Sequence, residues 1–353
     1  MIGTNEPYLI AETAYLHQGD LSYLKRMIKA ASKIKMDAIK FHALFDIDDY
    51  MTSTHQIYDS LKTWMFSRQE WDEVVKESHD SGLDIIMLCD DIKSLDYFAK
   101  SKLIKGLELH ATSINDIFML KGIMKFKGLA VLGIGGCSID EVDYAVSTLK
   151  GANKQDILLM FGYQNYPTDY NKIYLSRMLK LKEYFGLPIG YADHTAYDDK
   201  NNELISALPV LFGCNVLEKH FTLKKGEERL DFHSAVGPDQ LIKIKELMRL
   251  FHSVAGHEKR TIAIEEQQYG VVGPNKKAIV AKRDLKKGQT LKLDDLWYKR
   301  THNESHLEQR SLPKILGKKL QRNVKRNELI EFGHIQKEES KKKKKDFLHV
   351  KEK

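Results

Sequence analysis

The sequence predicts an α/β protein, a (β/α)₈ barrel followed by a small β-rich domain, and three observations carry that prediction. From Tyr8 to about Ala255, eight short apolar runs alternate with longer stretches whose apolar residues fall three or four apart. The connections are long enough for the crossovers that parallel strands require. Polar residues gather where the runs end, the side on which barrel enzymes carry their active sites.

Taken in order, the predicted strands are Tyr8–Glu12, Ala38–His42, Asp84–Cys89, Lys105–His110, Leu129–Ile134, Asp156–Phe161, Pro188–Ala192 and Asn215–His220. Leu21–Lys35, Arg68–Ser81, Ile139–Lys150, Asn171–Phe185 and Asp239–Phe251 have helical spacing and supply crossovers between them. An open doubly wound sheet is the rival. It is disfavoured because no Gly-x-Gly-x-x-Gly turn follows the first run; Gly133-Ile134-Gly135-Gly136, after the fifth, is too short for a nucleotide loop. The barrel is assigned to residues 1–255, and a polar linker to 256–275. A second unit at 276–336 has Ala278–Ala281, the turn-like Lys286–Gln289 and Leu296–Arg300 as its short elements.

The 353 residues are 42% hydrophobic, ample for a sizeable core, and contain no apolar run of membrane-spanning length. With no signal-peptide pattern at Met1–Pro7, a soluble, cytoplasmic protein is expected. Cys89, Cys137 and Cys214 have no metal-type spacing and lie in or beside apolar stretches, so reduced, buried thiols are expected. Much of the net charge of +7 sits in Lys341–Lys345, within a Lys-rich stretch (337–353) read as a solvated, disordered tail. No aromatic-and-basic module accompanies it, which argues against a nucleic-acid partner.

The site prediction rests on the strand ends. Gly190-Tyr191-Ala192 leads into Asp193-His194-Thr195, and Val216-Leu217 into Glu218-Lys219-His220. Alternation puts Glu218 and His220 on one face with Lys219 turned away. Neutral imidazoles with nearby carboxylates suit a divalent ion that keeps positions open for substrate and water, so His194 and His220 are the candidate metal ligands. Glu12 closes the first strand. Lys40 and His42 share a face of the second, where a Lys among apolar residues points to anion binding or catalysis.

These segments resemble the sialic acid synthase family, which includes the N-acetylneuraminate, legionaminate and pseudaminate synthases. Ala11–Asp20 is similar to the family's opening Ala-Glu-Ile-Gly-x-Asn-His-x-Gly-Asp, and Lys40-Phe41-His42 to its Lys-Phe-Gln. Tyr166-Pro167-Thr168, Asp193-His194-Thr195, Glu218-Lys219-His220-Phe221 and Asp231-Phe232-His233-Ser234 match further motifs, and the second unit resembles the family's antifreeze-like, or SAF, module. The resemblance implies condensation of phosphoenolpyruvate with an N-acetylated amino sugar such as N-acetylmannosamine, giving a nine-carbon 2-keto acid and phosphate. It implies Mn²⁺ at His194 and His220, with Mg²⁺ or Co²⁺ as substitutes, and a domain-swapped homodimer in which Arg300 reaches the sugar's acyl group. Glu12, Lys40, Asp193 and Glu218 take the catalytic places. His42, His110, Gln164, Tyr166, Asp231 and Arg300 take the substrate-binding ones.

The departures from the family pattern cluster. Where the family reads Lys-Ile-x-Ser-x-Glu in the fourth strand, this chain has Glu108-Leu109-His110-Ala111-Thr112-Ser113, and Gly133 replaces a Ser after the fifth. Thr-Pro of the third strand gives way to the Leu88-Cys89-Asp90 region, Leu16 stands for an Asn and His42 for a Gln. Either other groups bind the donor anion, such as His110, Thr112 and the backbone N–H groups around Gly133–Gly136, or the donor and acceptor have changed on the same scaffold. A lyase and a non-catalytic sugar-binding or regulatory homologue are the remaining alternatives.

Overall fold

A computed structural model describes residues 6–256 and 263–336. The expectations for the chain start, for part of the linker and for the Lys-rich tail lie outside these residues. Contacts divide the chain into two units, Met1–Gly256 and His257–Lys353.

In the first unit β1 (Tyr8–Glu12), β2 (Ala38–Ala43), β3 (Asp84–Cys89), β4 (Gly106–Leu109), β5 (Leu129–Gly133), β6 (Ile157–Gly162), β7 (Ile189–Asp193) and β8 (Val216–His220) form a closed parallel barrel in sequence order. The eight predicted strands are all present, with ends shifted by a residue; Lys105 and His110 fall outside β4. The helices are α1 (Leu21–Lys33), α2 (Ile47–Tyr50), α3 (Tyr58–Trp64), α4 (Arg68–Asp80), α5 (Ile92–Phe98), α6 (Ile117–Met124), α7 (Ile139–Gly151), α8 (Leu175–Phe185), α9 (Asn202–Ala207) and α10 (Pro238–Ala255). Five of these, α2, α3, α5, α6 and α9, have no counterpart among the predicted helices. All five are eight residues or fewer, too short for a clear period. Their starts are nonetheless encoded: Asp46, Asp91 and Asp116 accept backbone N–H groups at the first turns of α2, α5 and α6. The predicted helix at Asn171–Phe185 begins later, at Leu175, after a separate 3-10 turn at Tyr170–Lys172.

Two apolar layers hold the barrel. Outside the sheet, Leu9, Phe41, Ile85, Leu107, Leu132 and Leu217 pack with helix residues such as Leu24, Met27, Trp71, Leu120 and Leu241. Inside, Ile10, Ala38, Ile86, Val131, Leu158, Met160 and Val216 form a separate plug. Strand alternation then sets the next inward layer two residues along: Glu12 after Ile10, Lys40 after Ala38, Glu218 after Val216. The polar site stands on this plug.

The second unit pairs β9 (Ala278–Ala281) antiparallel to β10 (Leu296–Lys299). Around them Ile279, Leu285, Leu291, Leu296, Leu307, Ile315, Leu320, Val324 and Ile330 make a compact core. Two short helices, α11 (Ile264–Gln267) and α12 (Leu312–Ile315), complete it. No helix among the described residues is long and apolar enough to cross a membrane.

Candidate active site

A concave pocket opens at the C-terminal end of the barrel strands, lined by Glu12, Ala14, Lys40, His42, Glu108, His110, Gly133, Met160, Gly162, Gln164, Tyr166, Ala192, His194, Glu218, His220 and Asp231. Of the predicted barrel residues it gathers all but Asp193. Register explains the gathering, since Glu12 lies opposite Lys40 on β2 and His220 on β8.

The floor is an ionic cluster. The Lys40 ammonium lies 2.8 Å from Glu108, 2.9 Å from Glu218 and 3.2 Å from Glu12, and all four side chains are buried. Glu12 also meets His42 Nε2 at 2.9 Å and His220 Nε2 at 3.0 Å, so it links the lysine to two imidazoles. Burial disfavours the charge on Glu12, but Lys40, His220 and His42 outweigh it and hold its carboxyl well below the usual range. Lys40 likewise stays charged: burial opposes it, and Glu108, Glu12 and Glu218 push it well above an ordinary lysine. Burial, then repulsion from Glu12, raises Glu218 far above a free carboxyl. Glu108 is raised by burial against the pull of Lys40. Its second oxygen, Oε2, is buried without a hydrogen-bond partner. Among the described residues, no Arg and no second Lys lines the pocket.

Above the floor sit two imidazoles whose ring centroids are 5.1 Å apart. His194 Nδ1 donates to the Tyr163 carbonyl at 3.1 Å, which leaves the lone pair on Nε2; burial, with His220 nearby, brings its pKa down to about 3, so the ring is neutral. His220 gives Nε2 to Glu12, and its Nδ1 is buried with no partner. Tyr166 meets His194 edge-on at 4.3 Å and stacks on His220 at 5.7 Å, while its hydroxyl donates to Gln164 Oε1 at 3.0 Å. Asp231 completes the rim in left-handed backbone (φ 60°), which Asp tolerates better than most residues. His194 with an uncommitted Nε2 lone pair, His220 with an unpartnered Nδ1 and a carboxylate alongside fit a borderline divalent ion. Among the described residues no group of three or more His, Cys, Asp or Glu has a metal-holding arrangement, so an ion at this pair would complete its shell with water and substrate.

The NeuB family profile matches residues 27–260, and a SAF domain profile matches residues 276–336. The chain belongs to the NeuB family. It is similar to an N,N'-diacetyllegionaminic acid synthase of Campylobacter jejuni, 28% identical over 91% of this chain and 98% of that one. It is also similar to an N-acetylneuraminate-9-phosphate synthase of Drosophila melanogaster, 26% identical over 92% and 94%. Among solved structures, an N-acetylneuraminic acid synthetase from Leptospira borgpetersenii, crystallised with citrate, superposes with a TM-score of 0.69 at 25% identity, covering 75% of this chain and 90% of that one.

One residue of this NeuB-family barrel is not where the sequence reading put it. Asp193 does not line the pocket. It faces outward, where its carboxylate pairs with Lys219 and accepts from Tyr191 Oη at 3.0 Å, Thr195 Oγ1 at 2.8 Å and Ser206 Oγ at 2.8 Å. Alternation requires this, because Ala192 already faces inward and Asp193 is its neighbour in an extended strand. The same rule turns Lys219 outward from between Glu218 and His220, and the β7–β8 register sets Lys219 beside Asp193. Glu108, conversely, does face the pocket. Arg300 belongs to the second unit, where it is exposed and its Nε donates to the Pro274 carbonyl at 2.6 Å. Sequence reasoning missed Asp90, whose Oδ2 accepts from Tyr15 Oη at 2.7 Å and lies 3.8 Å from His42 Nδ1. Its place just past the end of β3 was the available signal.

Proposed function

We propose that the chain is a NeuB-type synthase, cytoplasmic and acting in the making of a sialic-acid-like sugar, that forms a carbon–carbon bond at the aldehyde carbon of an N-acetylated amino sugar. The observation that carries this reading is the pair His194 and His220, joined through Glu12 to Lys40 at the mouth of a family barrel. His194 and His220 are the residues that would hold a divalent ion, Mn²⁺ first and Mg²⁺ or Co²⁺ as substitutes. Bound there, such an ion polarises a carbonyl oxygen toward nucleophilic attack.

The chain's own groups divide the remaining work. Glu12 stays ionised and orients His42 and His220. Tyr166 stays protonated, because burial and then Glu12 push its hydroxyl above the ordinary phenol range, so it can donate to the sugar in exchange for its present contact with Gln164. Burial and repulsion from Glu12 raise Glu218 above the usual carboxyl range, which suits it to hold a proton and deliver it to the oxygen that becomes an alkoxide when the new bond forms. Asp231 and Gln164 sit at the rim to accept sugar hydroxyls. A second copy in a domain-swapped homodimer would bring Arg300 to the acyl group; that element rests on the resemblance.

For the donor there are two readings. In the first, phosphoenolpyruvate attacks through C3, water adds at C2 and phosphate leaves. In the second, the donor is an enol or enolisable ketone without the phosphate dianion. The second is favoured by one observation: among the described residues the one lysine lining the pocket is already paired with three acidic side chains, and Glu108 stands where an incoming anion would meet repulsion. The deciding experiment incubates the full chain and Mn²⁺ with a panel of N-acetylated amino sugars and either phosphoenolpyruvate or uncharged ketones such as dihydroxyacetone. Phosphate release and product mass are followed. Sugar-dependent phosphate release selects the first reading and adduct formation from the ketone the second. Neither, with metal bound, refutes the synthase.

A further inference from the structure

Beside the active pocket lies a second, acidic cleft. It is bounded by Asp49 and Tyr50 of α2, by Asp90, Asp91 and Ile92 between β3 and α5, and by Thr112, Ser113, Asp116, Phe118 and Met119 around the start of α6. Among the described residues, four carboxylates and no lysine or arginine line it. Acidic residues alone would be an ordinary solvated face, but Asp91 is 2% exposed. Its Oδ1 accepts from the backbone N–H groups of Phe45 at 3.1 Å and Ser94 at 3.3 Å, while its Oδ2 is buried with no partner. A buried carboxylate oxygen left unpaired costs on the order of 1–3 kcal/mol, so the site is short of one hydrogen-bond donor.

We propose that this cleft binds a protonated primary amine on a small, partly apolar carrier. The ammonium supplies the missing donor to Asp91 Oδ2 and sits among Asp49, Asp90 and Asp116. Ile92, Met119 and Phe118, the last 70% exposed, offer surface for the carrier's carbon chain, and an aromatic face beside carboxylates suits an organic cation. A metal ion is the weaker occupant, because among the described residues no cluster of acidic or imidazole side chains has metal-holding geometry. The cleft adjoins the active pocket through two contacts: Asp90 faces His42, and His110 Nδ1 lies 3.0 Å from Thr112 Oγ1. The amine therefore belongs either to a substrate that spans both sites or to a free di- or polyamine bound next door. The amine site itself does not depend on the synthase reading.

The test is calorimetric titration of the full chain with putrescine, with glucosamine, with N-acetylglucosamine as the uncharged control and with MgCl₂. Putrescine or glucosamine is expected to bind while N-acetylglucosamine does not; the tighter of the two tells a free diamine from an amino-sugar ligand. Asp91→Asn keeps a side-chain oxygen to accept the Ser94 N–H that caps α5 and should weaken amine binding about tenfold or more, the worth of one charge-assisted hydrogen bond. Asp49→Lys, a charge reversal at an exposed position, should abolish it even if Asp91→Asn folds poorly. Absence of amine binding to the wild-type chain overturns the proposal. So does binding that both variants leave unchanged, or Mg²⁺ affinity exceeding that of either amine and lost in the same variants.

Discussion

Replacing Glu108 by Gln should strengthen the binding of phosphoenolpyruvate in the pocket. The substitution keeps the side chain's size and leaves an amide oxygen to accept from Lys40, which retains Glu218 at 2.9 Å and Glu12 at 3.2 Å. What it removes is a negative charge at the pocket floor. At about 4 Å and an effective dielectric of about 20, one pair of unit charges is worth about 4 kcal/mol. Glu108 and Glu218 are both raised above the usual carboxyl range, so Glu108 carries only part of a charge; taking about half of it gives ~2 kcal/mol per unit charge, or about 30-fold in Kd. Titration calorimetry with phosphoenolpyruvate in the presence of Mn²⁺ would read the difference directly, with a thermal melt of each protein to exclude a loss of fold. Tight binding by the wild-type chain, unimproved or weakened in E108Q, would refute the reasoning; Lys40 would then have to leave its three carboxylates to reach the anion.

Three further outcomes are expected. His194→Ala and His220→Ala should each lower Mn²⁺ affinity by at least about tenfold in a metal-binding titration while leaving the denaturation midpoint near that of the parent, since both side chains face the pocket; unchanged affinity in both removes the metal assignment. Lys219→Met strands the fully buried Asp193 carboxylate and should cost about 3–5 kcal/mol in urea unfolding, a loss that no pocket ligand restores. His17 is buried against Phe66, and burial, then His42 and Arg229, hold its pKa down to about 3 from 6.5, so the unfolded chain takes up a proton there that the folded chain refuses. Its contribution is therefore present above pH 6.5 and lost as pH falls toward 3. His17→Asn should lose about 3 kcal/mol less stability than the parent between pH 6.5 and 4, and an equal loss in both proteins would contradict the buried, neutral ring.

The barrel was legible because its signal repeats. Apolar runs at eight places, several of them ending in polar residues, leave little freedom of topology, and the inward set Glu12, Lys40, Glu218 and His220 follows from period-two alternation alone. The misplacement of Asp193 came from reading Asp193-His194 as a unit, although adjacent residues of an extended strand cannot face one pocket. Asp90 and the short helices were hidden for a different reason. Their positions depend on which loops the closed sheet brings together, and pairs such as Tyr15 with Asp90 are 75 residues apart in the chain. Alternation says which way a side chain faces, not what it meets.

The distribution of the pocket residues around the barrel bears on how its chemistry could change. Glu12, Lys40, His194, Glu218 and His220, which match the family pattern, come from β1, β2, the end of β7 and β8, neighbours across the closure of the sheet. The substituted positions Glu108, Ala111 and Gly133 come from β4 and β5 and the turn between them, on the far side of the ring. A barrel assembles its site from separate strand ends on a common plug, so one arc can be rebuilt without disturbing the other. Lys40 is the point at which the two arcs meet: it pairs with Glu12 and Glu218 on one side and with Glu108 on the other. A carboxylate at 108 thus adds a third partner to the same lysine that an incoming anion would need. That single contact couples the floor to the choice of donor and leaves the imidazole pair intact, which is why donor charge, rather than metal binding, is the property on which this chain should differ from its relatives.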